Sequence, residues 1–251
     1  MAQQGDAEAQ YKTAELRKEF LEEGNEKHTE NERYQIFILY ESAAKQGHTE
    51  AMRCLADCYR DGVGVDEDPK EAAVWYEKAA DAGDIVSMRN IGICYEEGYG
   101  VEKDEKVAAQ WYKKAITKND AEAGFKLGCL YLFGEDIDED MEEAQTYLKK
   151  SAELGNPIAQ YMYAMVTDKG DAVEWLIKSV EQDFADAQYI LGERYLIGDG
   201  VPKDEDKAVE LFQKSADQEN EDAQCGGLDY AIFGGLYSMR TCVSRRAGYY
   251  S

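Results

Sequence analysis

Positive charge is scarce in this chain. Lys and Arg number 28 against 52 Asp and Glu, a net charge of −24. Phosphate recognition needs clustered Lys and Arg, so nucleic acid is excluded as a partner. An anionic membrane surface is disfavoured for the same reason. Long apolar runs are absent: none approaches the roughly 18 residues of a transmembrane helix. The opening MAQQGDAEAQ has neither a basic stretch nor an apolar core, so no signal peptide is expected. There is no C-x-x-C pair, and the two histidines, His28 and His48, lie in polar surroundings, so no metal site is expected. SAAK at 42–45 matches a serine-nucleophile spacing, but neither K-T-G nor S-D-N accompanies it. No base, oxyanion site or small-molecule pocket can be assembled from what remains. The expectation is a non-enzyme without a cofactor.

What is present is repetition. Gly83–Lys118 places Ser87, Ile91, Gly92 and Tyr95 on one helix face, breaks at Gly98 and Gly100, then resumes helical spacing through Val107, Ala108, Trp111, Ala115 and Ile116. Repeats 47–82, 83–118 and 119–154 follow one another at 36 residues, and 183–218 is a further copy of that length. Ala51, Ser87, Ala123 and Ala187 coincide, as do Tyr59, Tyr95, Tyr131 and Tyr195. So do Gly62, Gly98, Gly134 and Gly198, and Asp68, Asp104, Asp140 and Asp204. A single hairpin cannot bury its apolar stripe alone, so stacked copies are expected.

The pattern A-x-x-x-L-G-x-x-Y, then G-x-G-V-x-x-D-x-x-K-A, then W-Y-x-K-A-A, resembles the Sel-one-like repeat, a longer-looped relative of the tetratricopeptide repeat. Ala187, Leu191, Gly192, Tyr195, Gly198, Gly200, Val201, Asp204, Lys207 and Ala208 carry it most plainly. The resemblance covers residues 5–223. It implies an all-α fold, a right-handed α-α superhelix or solenoid of stacked helical hairpins, and a family of adaptors and scaffolds without a common reaction. Some secreted relatives are credited with penicillin binding or hydrolysis, and others staple the two helices of a repeat with disulfides. Here Cys54, Cys58, Cys94 and Cys129 all fall on first helices, with no cysteine on a second helix to meet them. Reduced thiols and a cytoplasmic location are expected.

The solenoid is expected over 1–225. Residues 5–46 form an irregular first repeat, with a polar insertion at Glu22–Arg33 before an apolar helix from Tyr34 to Ala44. In 119–154 the loop reads GEDIDEDMEE, too irregular for a calcium loop because it lacks the central glycine. Residues 155–182 form a copy of 28 residues whose loop is cut to Thr167–Asp171. A partial copy runs over 219–231. The remainder, 226–251, is glycine-rich and basic, either a docking tail or a degenerate cap. The opening AQQGDAEAQ matches the junction at 44–52, so an assembly segment of a larger array is the alternative to a free-standing adaptor.

In tetratricopeptide-like solenoids the first helices line the concave face, which the resemblance carries over to named positions. Repeat 47–82 would offer Arg53, Asp57 and Arg60, and repeat 83–118 Arg89 and Ile93. Repeat 119–154 would add Phe125, Leu132 and Phe133; 155–182 adds Tyr161 and Met165; 183–218 adds Tyr189 and Leu196. A groove with available arginines at one end and aromatics beyond suits a peptide or protein segment with an acidic or carboxylate end, while the net negative charge permits a basic partner segment as well. Leu-Gly pairs such as Leu127–Gly128 are expected to permit close helix approach. Trp75, Trp111 and Trp175 are expected to bury large area between second helices.

Overall fold

The computed structural model describes residues 6–22, 30–167 and 169–218. Among these residues there are twelve α-helices and no strand. In order they are α1 (Ala7–Glu22), α2 (Glu30–Lys45), α3 (Thr49–Asp61), α4 (Pro69–Asp81), α5 (Ile85–Glu97) and α6 (Glu105–Thr117). Then follow α7 (Ala121–Phe133), α8 (Met141–Glu153), α9 (Pro157–Val166), α10 (Lys169–Glu181), α11 (Ala185–Ile197) and α12 (Glu205–Asp217). The fold class is the all-α solenoid, built from helical hairpins.

Local chemistry starts and stops these helices. Asp68, Asp104, Asp140 and Asp204 sit in extended backbone before the second helix of their repeats, and each carboxylate accepts N–H groups of the first turn. Such a cap contributes about 1 kcal/mol. His48, Asp84, Asp120 and Asn156 do the same for first helices. The aligned aspartates of the sequence are therefore helix starts. Between repeats the chain reverses through one residue of positive φ, Gly47, Gly83 or Gly155, and Asn119 and Asp183 hold the same conformation.

Two compact bodies are present. The first comprises Met1–Leu127 with Glu135–Asp138, the second Gly128–Gly134 with Glu139–Ser251. In the first, α1 through α6 pack each against the next; in the second, α8 through α12 do so.

Inside a repeat the core forms where the second helix meets the Leu-Gly pair of the first. The Tyr112 ring is fully buried and lies over Gly92, where a methyl group would fall 2.5 Å from the ring. Leu148 lies likewise over Gly128, and Phe212 over Gly192. The buried position is thus the residue after the tryptophans Trp75, Trp111 and Trp175 and after Tyr147: Tyr76, Tyr112, Leu176 and Leu148 are all fully buried. This corrects the expectation for the tryptophans. Trp111 is buried, but Trp75 and Trp175 are half-buried, and Lys78 and Lys178 place their ammonium groups 3.9 and 4.0 Å from the ring centroids. Lys114 lies over the Trp111 ring in the same way, at 3.4 Å, so the cation contact is common to all three and does not set their burial.

The first repeat departs from its sequence reading. Its polar insertion is helical from Glu30, so Glu30–Arg33 form the first turn of α2. The short repeat also differs: α9 ends at Val166, and Lys169 to Asp171 already belong to α10. The partial copy at 219–231 and the tail at 226–251 lie outside the described residues.

Candidate interaction surface

Residue by residue, the first helices present less free charge than their sequence suggests. Arg53 on α3 lies beside Asp84, the N-cap of α5, with Nε 3.6 Å from Oδ2. Arg89 on α5 repeats the arrangement with Asp120, Nη1 to Oδ2 2.5 Å, and adds Glu122 at 3.3 Å. Asp120 at the same time accepts the Ala123 N–H at 2.8 Å. The same clasp recurs with other chemistry. Tyr11 on α1 stacks on His48, the N-cap of α3, with centroids 4.6 Å apart, and Tyr161 on α9 meets Phe184, the N-cap of α11, at 5.5 Å. One first-helix position therefore contacts the start of the next first helix, and the pair changes type together.

The next position inward is also engaged. Tyr76 passes through the core and donates its hydroxyl to Asp57 at 2.6 Å, while Arg60 donates to the same hydroxyl at 2.7 Å and grips Asp61 through two nitrogens. Tyr112 donates to Glu96, which pairs with Lys126 at 3.5 Å, and Tyr40 donates to Glu15. Burial pushes all three phenols well above their ordinary range, with the neighbouring carboxylates adding to the effect. These hydroxyls stay protonated as donors. Arg53, Asp57 and Arg60 are joined in one ion-pair cluster, with Arg60 at its exposed edge, and Arg89 belongs to another with Asp120 and Glu122, so each of these arginines has carboxylate partners within the array.

The apolar candidates divide. Leu132 is 8% exposed and Tyr189 4%, the latter packed on Phe212, so both belong to the core. Ile93, Phe125, Tyr161 and Met165 are half-buried. Phe133 is 38% exposed and Leu196 more so, and beside Leu196 stands Ile197, which is 71% exposed and was not singled out in the sequence. In the second body, then, the outer ends of α7 and α11 are apolar and open. The equivalent ends of α3 and α5 in the first body are acidic, at Asp61 and Glu97.

Two further residues were missed. Glu105, at the start of α6, is only 5% exposed, and its Oε2 accepts the N–H groups of Glu135 and Asp136 at 2.8 and 3.0 Å. Met141, at the same position of α8, is 41% exposed. Their alignment was readable, but nothing in it separates a buried carboxylate from an open methionine.

Among the described residues, no group of three or more His, Cys, Asp or Glu side chains could hold a metal ion. Cys54, Cys58 and Cys94 are free and buried, and burial pushes their thiols up to about 12. They are small apolar core residues rather than nucleophiles. No helix among the described residues is long and apolar enough to cross a membrane.

Stacked helical hairpins repeating every 36 residues define an α-solenoid repeat class. The Sel1 repeat profile matches residues 7–48, 49–84, 85–120, 121–156, 157–184 and 185–220, and the chain belongs to that family. Two solved structures are similar. One is c5321, a protective antigen of uropathogenic Escherichia coli with an SLR fold: 31% identity, TM-score 0.77, covering 92% of this chain and 50% of that one. The present chain spans half the length of that antigen. The other is a Sel1 repeat protein from Oxalobacter formigenes: 29% identity, TM-score 0.72, covering 84% of this chain and 86% of that one. No curated protein sequence matches the chain.

Proposed function

We propose that the protein is a non-enzymatic adaptor that holds a partner protein segment against the first helices of its second body. The family generally mediates protein–protein interaction and is typically a non-enzymatic scaffold, which supports this class. The observation that carries the reading is the change of chemistry at one repeat position, from Asp61 and Glu97 to the open apolar side chains Phe133 and Ile197. In a chain of net charge −24, solvent-facing ends are most simply kept soluble by acid. Exposed apolar side chains at such ends mark a surface that is covered in use. Met165 and Leu196 extend the same strip on α9 and α11.

The test is affinity capture from native lysate with the wild type, Phe133→Asp and Leu196→Asp side by side. Both variants keep their helicity because both positions are open. A protein recovered by the wild type and lost from both variants supports the reading, and equal recovery by all three overturns it.

A further inference from the structure

His48 has two partners at the joint between the first and second repeats. Its Nδ1 accepts the Ala51 N–H at 3.2 Å and so caps α3, while its Nε2 lies 2.9 Å from the Glu8 carboxylate of α1. Together the two contacts fix the tautomer. A nitrogen that accepts carries the lone pair, so the ring proton sits on Nε2 and is donated to Glu8. The ring is neutral in this arrangement. Its side chain is only 11% exposed, and the Tyr11 ring stacks on one face at 4.6 Å.

Charged groups face this ring from each helix around it. On α1 they are Glu8, which also holds Lys12 at 2.8 Å, and the Tyr11 phenol. On α3 they are Glu50, whose Oε2 lies 3.5 Å from Nδ1, and Arg53, which pairs with Asp57 and Asp84. The last-turn cation of α2, Lys45, is tied to Glu41 at 2.7 Å. Hydrogen bonds from Lys12 and His48 hold the Glu8 carboxyl below its ordinary range, so Glu8 stays ionised in mild acid. A second proton on the ring meets opposite conditions on its two sides. At Nδ1 it sets a donor against the Ala51 N–H, which loses its acceptor at the positive end of α3. Towards Glu8 and Glu50, an imidazolium makes two charge-assisted contacts. Nδ1 serves one partner or the other, not both.

We propose that His48 is an acid-sensitive joint: neutral, it caps α3, and on taking up a proton it releases the Ala51 N–H and bridges Glu8 and Glu50 instead. Mild acid then changes how firmly the second hairpin begins without detaching the first, because the tie to α1 is kept in both states. Among the described residues His48 is the only imidazole, since the chain has two histidines and His28 lies outside them. The corresponding caps of α5, α7 and α9 are the carboxylates Asp84 and Asp120 and the amide Asn156. The device belongs to the first body and goes beyond the adaptor reading, which rests on the second.

The test is NMR on the isotope-labelled full chain between about pH 7.5 and about pH 5.5, the range in which imidazole changes charge. At the upper pH the His48 ring nitrogens should report the Nε2–H tautomer. Towards the lower pH the protection factor of the Ala51 amide, corrected for intrinsic exchange, should fall about fivefold. The Ala159 amide, capped by Asn156, is the internal reference and should stay level. His48→Asn keeps a capping side chain that takes up no proton, so its Ala51 protection should hold over the whole interval. Glu50→Gln removes one acceptor of the charged ring, and the fall should move to lower pH. An Nδ1–H tautomer at the upper pH, constant Ala51 protection in the wild type, or the same fall in His48→Asn overturns the proposal. A fall that Glu50→Gln leaves at its wild-type pH also overturns it, because the proton is then not taken into the bridge.

Discussion

Arg89 reaches out of its own repeat to Asp120, the residue that caps the helix beginning the next one, and the two side chains meet at 2.5 Å. Asp120 is 9% exposed and holds the Ala123 N–H as well, so one carboxylate fixes both the start of α7 and its distance from α5. Asp120→Ala removes the cap and the ion pair together and is expected to cost roughly 2–3 kcal/mol. Asp120→Asn keeps the acceptor for Ala123 and should cost roughly 1 kcal/mol less. A double-mutant cycle with Arg89→Ala, read by urea denaturation, checks this. A coupling of about 1 kcal/mol or more is expected, since the pair is shielded from water.

Tyr76 and Trp75 are neighbours with opposite duties. Tyr76→Ala empties a fully buried site and should cost about 3–5 kcal/mol. Trp75→Ala removes a half-buried ring capped by Lys78 and should cost less than half as much. Tyr76→Phe tests the hydroxyl alone: it leaves Asp57 and Arg60 without their shared partner, for about 1–2 kcal/mol. Thermal melts of the three variants rank these effects directly.

These two cases show what the sequence disclosed. The helices, their order and the short repeat were legible because Ala51, Tyr59, Gly62 and Asp68 recur at a fixed spacing, and recurrence averages out local ambiguity. The face assignments were less so. Trp75 outweighs Tyr76 in size, and size suggested burial. Yet the glycine or alanine of the first helix lies opposite the following residue, and that register is fixed by helix rotation rather than by composition. The ion pairs of the arginines were not legible for a related reason: Asp84 and Asp120, the partners of Arg53 and Arg89, lie 31 residues further on, in the next repeat. A within-repeat view cannot see an inter-repeat contact. Ile197 escaped notice because its exposure depends on how far α11 projects.

Glu105 anchors the acidic loop through two backbone N–H groups. Glu105→Ala leaves those donors without the acceptor and is expected to cost about 2 kcal/mol locally. The sharper readout is limited proteolysis with a Glu-specific protease. Cleavage after Glu135 and Glu139 should accelerate in the variant while cleavage after Glu67 and Glu102, in the glycine loops, stays at its wild-type rate.

Alkaline pH should unfold this protein through its thiols before its phenols. Cys54, Cys58 and Cys94 have folded-state values near 12 against an ordinary 9.0, because burial opposes the thiolate. Above pH 9 the unfolded chain therefore loses these protons while the folded chain keeps them. Stability is fully present below that pH and falls by up to ~1.4 kcal/mol per pH unit for each thiol until the folded-state value is reached. Three thiols together give a loss of about 4 kcal/mol between pH 8 and pH 10. Tyr40, Tyr76 and Tyr112 act in the same direction but only above their ordinary 10.0. Urea midpoints at pH 8 and pH 10 separate the two contributions. Replacing the three cysteines with alanine should flatten the dependence over that interval and leave the steeper fall above it, where the buried phenols resist ionisation.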